Sequence, residues 1–408
     1  MSLLHYTTPI FVAGMLITGC SNSLLTKYQD NQCVANCDGP LGERRYFEQP
    51  VIQTFQMFIA EAACWGVVFF RHIYMQYFAQ SSLMLDDDDD AASIGSNLHV
   101  ETEASISLLA TAPTDASKPL QILAGKKVFG LSIPAFCDIC GTTLMNVGLF
   151  FTPVSIYQMT RGALVLFVGL FSVIFLNKRL ALQQWTALAV VCLGVFIVGL
   201  SGTIYAPDAS DENDSPHDPT REPNSFLEVA FGVFIIALAQ IFTATQFVYE
   251  EHILKDYHLD SIRVVGWEGI FGFLLTGVIM IVSYVLVGHS DSGRGGYFDI
   301  PTGASQIANN RGVFVSSLLI MVSIGAFNFF GISVTQRISA TSRSTIDTCR
   351  TLGIWLISIA LGWERFRALQ LIGFALLVYG TLLFNNIITP LIFRQFDRGR
   401  IRLETEVA

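Results

Sequence analysis

Charge is what this chain has least of. Of its 408 residues only 14% are Asp, Glu, Lys or Arg, against about 25% in a soluble globular domain. That scarcity excludes a nucleic-acid binder, which needs a basic face. It also excludes a disordered chain, which needs high charge and few apolar residues. Cysteine is sparse too, with eight residues, most of them in or beside apolar runs where the thiol behaves as a small hydrophobe. A secreted disulfide scaffold is excluded. Cys137 and Cys140 have metal-like spacing but no second pair, so no metal or redox centre is expected. Cys33 and Cys37 lie in a polar loop and can pair if that loop faces an oxidising compartment. Enzyme signatures are missing: there is no HExxH, GxSxG or GxxxxGK[ST], and His252 with Asp256 falls one residue short of an acyltransferase HxxxxD. No enzyme activity and no cofactor are expected. The net charge of −9 points to no partner, because the acids collect in the polar loops.

Apolar residues are abundant instead, at 52% of the chain with a mean hydropathy of +0.51. Ten apolar segments can be drawn, at about 8–28, 51–71, 128–150, 154–176, 181–201, 226–250, 263–288, 312–334, 346–363 and 367–387. Each approaches the roughly 20 residues that carry a helix across about 30 Å of hydrocarbon. Fifty residues separate Lys127 from Lys178, too many for one crossing, and Pro153 suits the first turn of a second helix. The first segment has no basic flank before it and reads as a retained span rather than a signal peptide. The expected fold is an all-α polytopic membrane protein with ten transmembrane helices. Residues 79–118, with Asp86 to Asp90, and the acidic, Pro-rich 202–224 lack the apolar surface that offsets ordering entropy and read as disordered.

Lys and Arg set the orientation. With the N-terminus in the cytosol, that side collects Lys126, Lys127, Lys178, Arg179, Lys255, Arg263, Arg337, Arg343 and the basic tail of 388–408, so both termini are expected to be cytosolic. The sequon at Asn213 would then be lumenal.

The two halves of the chain echo each other. Arg161 aligns with Arg350, Gln158 with Asp347, Asp138 with Asn328, Glu61 with Glu268, and Asn22 with Gln246. After each arginine comes an apolar helix, a second arginine (Arg179, Arg365) and Ala-Leu-Gln. The expected division is 1–201 as one five-helix repeat, 202–224 as a linker, 225–387 as the second repeat and 388–408 as the tail. An odd number of spans per repeat makes the two halves inverted, an architecture of alternating-access carriers with a central site.

A charge at mid-membrane costs at least about 2.5–3.5 kcal/mol, yet Glu61, Asp138, Arg161, Glu268, Asp347 and Arg350 all fall inside spans. They must face the interior, where they either pair to hold helices together or line a substrate path. Substrate binding is assigned to Asn22, Asp138, Gln158, Arg161, Gln246, Asn328, Asp347 and Arg350. Glu61 and Glu268 are candidates for proton coupling, since a buried carboxyl can take up and release protons. The small residues Gly141, Gly148, Gly162, Gly169 and Ser172 read as helix-packing faces. Tyr157 and Trp355 read as core or lipid-facing aromatics.

Three stretches carry a family resemblance: CDICGTTLMNVGLFFTPVSIYQMTRGALVLFVGLFSVIFLNKRL from Cys137, VYEEHILKDYHLDSIRVVGWEGIFGF from Val248, and FNFFGISVTQRISATSRSTIDTCRTLGIWLISIALGWERF from Phe327. The chain resembles the drug/metabolite transporter superfamily, and within it the F branch of solute carrier family 35. The resemblance implies an EamA-like fold of ten spans in two inverted halves, a cavity lined by the third, fourth, eighth and ninth helices, and a lysosomal, vacuolar or Golgi membrane, with lysosome or vacuole favoured. Thr142 joins the substrate-binding residues only through this resemblance, which the stretch from Cys137 carries.

The expected function is secondary-active transport of a small organic metabolite. Acids outnumber arginines inside the spans, which favours a zwitterion or cation, with protons as a coupling ion. A nucleotide-sugar or phosphate-ester antiporter is one alternative. A non-transporting membrane scaffold or sorting protein is another. The partners are a small-molecule substrate and the lipid bilayer, with no nucleic acid and no metal; a homodimer is left open.

Overall fold

The computed structural model describes residues 2–37, 39, 44–83, 125–152, 154–204, 226–257, 259–290, 295–360 and 368–385. The run Asp86–Asp90, the sequon at Asn213, Arg365 and the 388–408 tail lie outside the described residues. Within them the helices are α1 (Ser2–Asp30), α2 (Pro50–Ala62), α3 (Cys64–Leu83), α4 (Ser132–Phe151), α5 (Val154–Thr160), α6 (Leu164–Leu176), α7 (Leu182–Ile204), α8 (Phe226–Asp256), α9 (Ser261–Ser283), α10 (Ile300–Asn309), α11 (Arg311–Arg337), α12 (Ala340–Ala360) and α13 (Ala368–Phe384). A hairpin of β1 (Cys33–Ala35) and β2 (Arg45–Tyr46) pairs antiparallel between α1 and α2.

Among the described residues, seven helical stretches are long and apolar enough to cross a membrane: Thr8–Asp30, Pro50–Tyr77, Gly125–Phe151, Ile156–Leu176, Leu227–Asp256, Ser261–Gly288 and Arg311–Arg337. Shorter apolar helices run at Leu182–Val198 and Ala368–Phe384. The architecture is that of a helical polytopic membrane protein. Its outer faces carry large apolar side chains such as Phe70, Leu286 and Val322, each more than two-thirds exposed. That suits hydrocarbon, not water.

Several expected boundaries move. The first span runs through Ser21-Asn22-Ser23, which do not end it, and continues to Asp30. Helix α3 extends to Leu83, so residues 79–83 are helical and not part of a disordered loop. Helix α7 likewise takes in residues 202–204. In each case apolar side chains upstream carry the helix past a few polar ones.

Local chemistry explains most helix ends. Pro50 opens α2. Asp299 caps α10 by accepting from the Thr302 amide at 3.3 Å. Asn310 caps α11 through the amides of Gly312 (2.9 Å) and Val313 (3.3 Å), while its own amide donates to the Cys33 carbonyl at 2.9 Å and ties α11 to the hairpin. Cys33 is disulfide-bonded to Cys37. Asn177 ends α6 in the left-handed conformation at φ 52°, with the Lys178 amide returning to the Ser172 carbonyl. Ser339 caps α12 by accepting from the Ser342 amide. Inside the helices Thr18, Thr143, Thr152, Thr160, Thr245 and Thr348 donate to carbonyls one turn back, satisfying hydroxyls where no water is at hand.

The most extensive helix pairs are α7 with α13, α4 with α8, α1 with α11, and α2 with α9; α6 with α8, α1 with α12, α2 with α11 and α4 with α9 follow. Small residues permit these approaches, as the packing reading expected. Gly141 and Gly148 of α4 sit on Ala239 and Gly232 of α8, and Gly194 of α7 faces Gly373 of α13. A Cβ at Gly373 would lie 3.0 Å from the Val198 nitrogen and 3.1 Å from the Gly194 oxygen. Gly373→Leu is therefore expected to cost about 1–3 kcal/mol of stability in thermal unfolding of the detergent-solubilised protein. Gly66→Ala, where a Cβ meets open space, should be neutral or stabilising by up to about 1 kcal/mol.

Candidate functional site

The charged side chains inside the bundle gather in two clusters joined by one face of α12. Arg343, Asp347 and Arg350 lie four and three residues apart, so they share that face. About 10 Å of helix axis separates the two arginines at 1.5 Å per residue.

The first cluster draws on six helices. Glu61 (α2) accepts a hydrogen bond from the side-chain amide of Asn328 (α11). Asp138 (α4) accepts from Thr142 one turn on at 3.3 Å. Glu268 (α9) is buried, and its Oε1 has no hydrogen-bond partner. Glu250 (α8) forms an ion pair with Arg343 (α12); the two are 0% and 2% exposed. Gln246, one turn before Glu250, is buried and bonds to it. Glu61, Asp138, Glu250 and Glu268 all interact electrostatically with one another and with Arg343. The Arg343 guanidinium lies over the Phe247 ring at 3.8 Å. Helices α2 and α9 come together where a Cβ on Gly269 would overlap the Glu61 backbone.

The second cluster is cationic. Arg350 pairs with Asp347 at 2.7 Å, with the two side chains 4% and 8% exposed. The Arg350 guanidinium lies 4.7 Å from the Phe327 ring centroid and within electrostatic reach of Arg161. Arg161 occupies a 3-10 turn (Arg161–Ala163) between α5 and α6, half-buried, with its guanidinium over Tyr157 at 5.8 Å. The Cys20 thiol contacts the Arg350 carbonyl at 3.7 Å. Asn22 and Gln158 each bury a side-chain oxygen that has no hydrogen-bond partner.

Every residue named from the sequence thus lies on an element that reaches the interior. Glu61, Asp138, Thr142, Gln246, Glu268 and Asn328 come together in the first cluster. Asp347, Arg350 and Arg161 form the second. The main correction concerns Arg343. The loop-charge argument counted it as a cytosolic flank, but α12 begins at Ala340 and carries Arg343 into the interior, against Glu250. Glu250 was also passed over. Both had a periodic signal: Glu250 falls one turn after Gln246, and Arg343 two turns before Arg350. The corrected interior still carries more carboxylates than guanidinium groups.

Other polar features are structural. The adjacent Glu251 binds Lys178 at 2.7 Å and Lys255 at 2.6 Å and accepts from the Ala340 amide at 2.9 Å, fixing the start of α12 to the end of α8. His252 and Asp256 form a surface helix pair at 3.6 Å, each 58% exposed. Trp355 is core, packed on Phe374. A pocket of about 380 Å³ lies away from the charged clusters, between the Cys33–Cys37 loop and the junction of α10 with α11.

Helices of membrane-crossing length with paired charges sealed between them define a multi-pass membrane protein. Comparison with known proteins then places the chain. It is 35% identical to solute carrier family 35 member F6 of Homo sapiens over 394 residues, 96% of this chain and 92% of that one. It is 33% identical to the Mus musculus protein of the same description over 97% of this chain and 93% of that one. An uncharacterized protein of Schizosaccharomyces pombe, C12G12.12, is 35% identical over 92% of this chain and 96% of its own length. A family model described as nucleotide-sugar transporter matches residues 116–287. The chain belongs to solute carrier family 35, a family of membrane transporters.

The two kinds of ion pair should respond differently to loss of one partner. Arg350→Ala leaves Asp347 buried and unbalanced and is expected to cost about 3–5 kcal/mol. Arg71→Ala removes a pair with Asp260 that is 56% and 37% exposed and should change stability by about 0–1 kcal/mol. Thermal unfolding of both variants in detergent checks the contrast.

Proposed function

We propose that the chain is a secondary-active carrier that moves a small organic metabolite by alternating access. The observation that carries this reading is the convergence of ionisable side chains from α2, α4, α8, α9 and α12 inside the bundle, with carboxylates in excess. Such groups, kept inside a membrane bundle despite their cost, mark substrate and ion paths. The excess of acids favours a zwitterion or cation as cargo. Glu61 and Glu268 are placed as the proton-coupling pair, and Asn22, Asp138, Thr142, Gln158, Arg161, Gln246, Asn328, Asp347 and Arg350 as the substrate-binding set.

The architecture proposed is ten spans in two inverted halves, 1–201 and 225–387, joined by a linker. The helix pairing supports it. If α1, α2–α3, α4, α5–α6 and α7 are exchanged with α8, α9, α11, α12 and α13 in that order, α1–α11 becomes α8–α4, α2–α11 becomes α9–α4, and α2–α9 and α7–α13 map onto themselves. The hydrogen bond of Glu61 with Asn328 has its counterpart in the electrostatic interaction of Glu268 with Asp138. The Cys33–Cys37 disulfide supports a non-cytosolic loop between α1 and α2, and so a cytosolic N-terminus. We place the carrier in an endomembrane, lysosome or vacuole ahead of Golgi, with both termini cytosolic.

A nucleotide-sugar antiporter is the second reading, and the family model over residues 116–287 is what favours it. A dianionic cargo would sit against the carboxylate excess unless protons enter with it. Uptake into proteoliposomes separates the two: cationic and zwitterionic metabolites should move faster than nucleotide sugars, and the reverse order overturns the first reading. Arg161→Ala should lower flux about tenfold or more, the equivalent of about 1.4 kcal/mol of lost binding, while leaving the unfolding temperature near that of the parent. Unchanged flux would sink the assignment of Arg161. A non-transporting scaffold would show no flux with any cargo.

A further inference from the structure

We infer that Glu250 and Arg343 are a positioning pair that locks one end of the bundle only. This rests on the carrier reading above. Glu250 lies near the C-terminal end of α8 and Arg343 in the first turn of α12, so their ion pair closes the end where these two helices meet the loop after α6. By the proposed topology that end is cytosolic. Both side chains are essentially solvent-free. The pair is built into the packing. Phe247 presents its ring to the guanidinium, and a Cβ on Gly331 of α11 would lie 2.9 Å from the Arg343 Nε, so only glycine leaves room there. Next to it, Glu251 joins Lys178 and the Ala340 amide, and Gln336 bonds to Ser261 and to the Leu259 carbonyl. Four helices and the loop after α6 are thus drawn together at this end.

The positions that correspond to the lock in the other half carry no such pair. In the register that pairs Asn22 with Gln246, Glu250 corresponds to Thr26, whose hydroxyl donates to the Asn22 carbonyl of its own helix. In the register that pairs Arg161 with Arg350, Arg343 corresponds to Val154. The half-exposed residues Tyr157, Gln158, Arg161 and Asn22 all lie on the side away from the lock. A buried ion pair that must be broken at one end, and that the corresponding positions at the other end cannot form, tilts the equilibrium between the two open states. The pair is also incomplete: Arg343 Nε, Glu250 Oε1 and Glu268 Oε1 have no hydrogen-bond partner.

Native Cys137 reports on the lock. It is 6% exposed, and its thiol interacts electrostatically with Glu250. The full-length protein in sealed vesicles is treated with a membrane-impermeant maleimide from either side, and modification of Cys137 is quantified by mass spectrometry. Cys137 of the parent should be protected from both sides. Glu250→Gln and Arg343→Gln should each raise labelling from the cytosolic side about tenfold or more, the change expected when a state populated at about 1–10% becomes the major one. Arg343→Lys, and the exchanged pair Glu250→Arg with Arg343→Glu, should recover much of the protection. Unchanged labelling in both neutral variants overturns the proposal. So does labelling that rises equally from both sides, as a purely structural staple would give. The readout needs no cargo. A chain that transports but keeps Cys137 protected retains the carrier reading and loses the lock, whereas one-sided exposure without transport does the opposite.

Discussion

The cost of an uncompensated charge away from water governs this molecule. Hydrocarbon offers no hydrogen-bond partners, so each ionised group inside must find its counter-charge or its donor among other side chains. Nearly every interior feature follows from that. Arg350 takes Asp347 from its own helix and an aromatic face from Phe327. Arg343 takes Glu250 from another helix, and Phe247 with it. Glu61 takes an amide from Asn328. Pairing across helices sets which helices must be neighbours, and glycines at the crossings let them approach closely enough for short side chains to meet.

The two arginine pairs on α12 differ in kind. Asp347 and Arg350 move together with one helix, so their bond survives any rearrangement of that helix against the rest. Glu250 and Arg343 span two helices, and their bond holds only while α8 and α12 keep this relation. One pair carries charge safely through the membrane; the other reports on helix arrangement. Neighbouring Glu251 makes the same distinction by a single step in sequence: its contacts are to lysines at the edge and to a helix-capping amide, not to the interior.

Much of this was legible in the residues alone. The helical, polytopic class followed from long apolar runs, and the interior position of Glu61, Asp138, Glu268, Asp347 and Arg350 followed from the cost of exposing them to lipid. What could not be read was where helices stop. Arg343 sits in ATSRSTIDTCR, a stretch polar enough to resemble a loop, and only the packing of its serines and threonines against their own backbone, together with the cap from Ser339 and the amide contact to Glu251, keeps it helical. Residues 79–83 were misread for the converse reason: a polar composition downstream masked a helix already under way. Partners were equally out of reach. Nothing in the spacing of Asn328 says that it meets Glu61, because that contact is made by two helices whose sequence positions lie far apart.

The seam between α7 and α13 has a mechanical meaning. Along it Gly380, Gly194 and Gly373 follow one another and bring backbone close to backbone. The Val191, Val198 and Leu377 side chains seat against these glycines, so each helix interlocks with the other at close range. Such a crossing behaves as a rivet: it keeps α7 and α13 side by side, and a displacement of one carries the other with it.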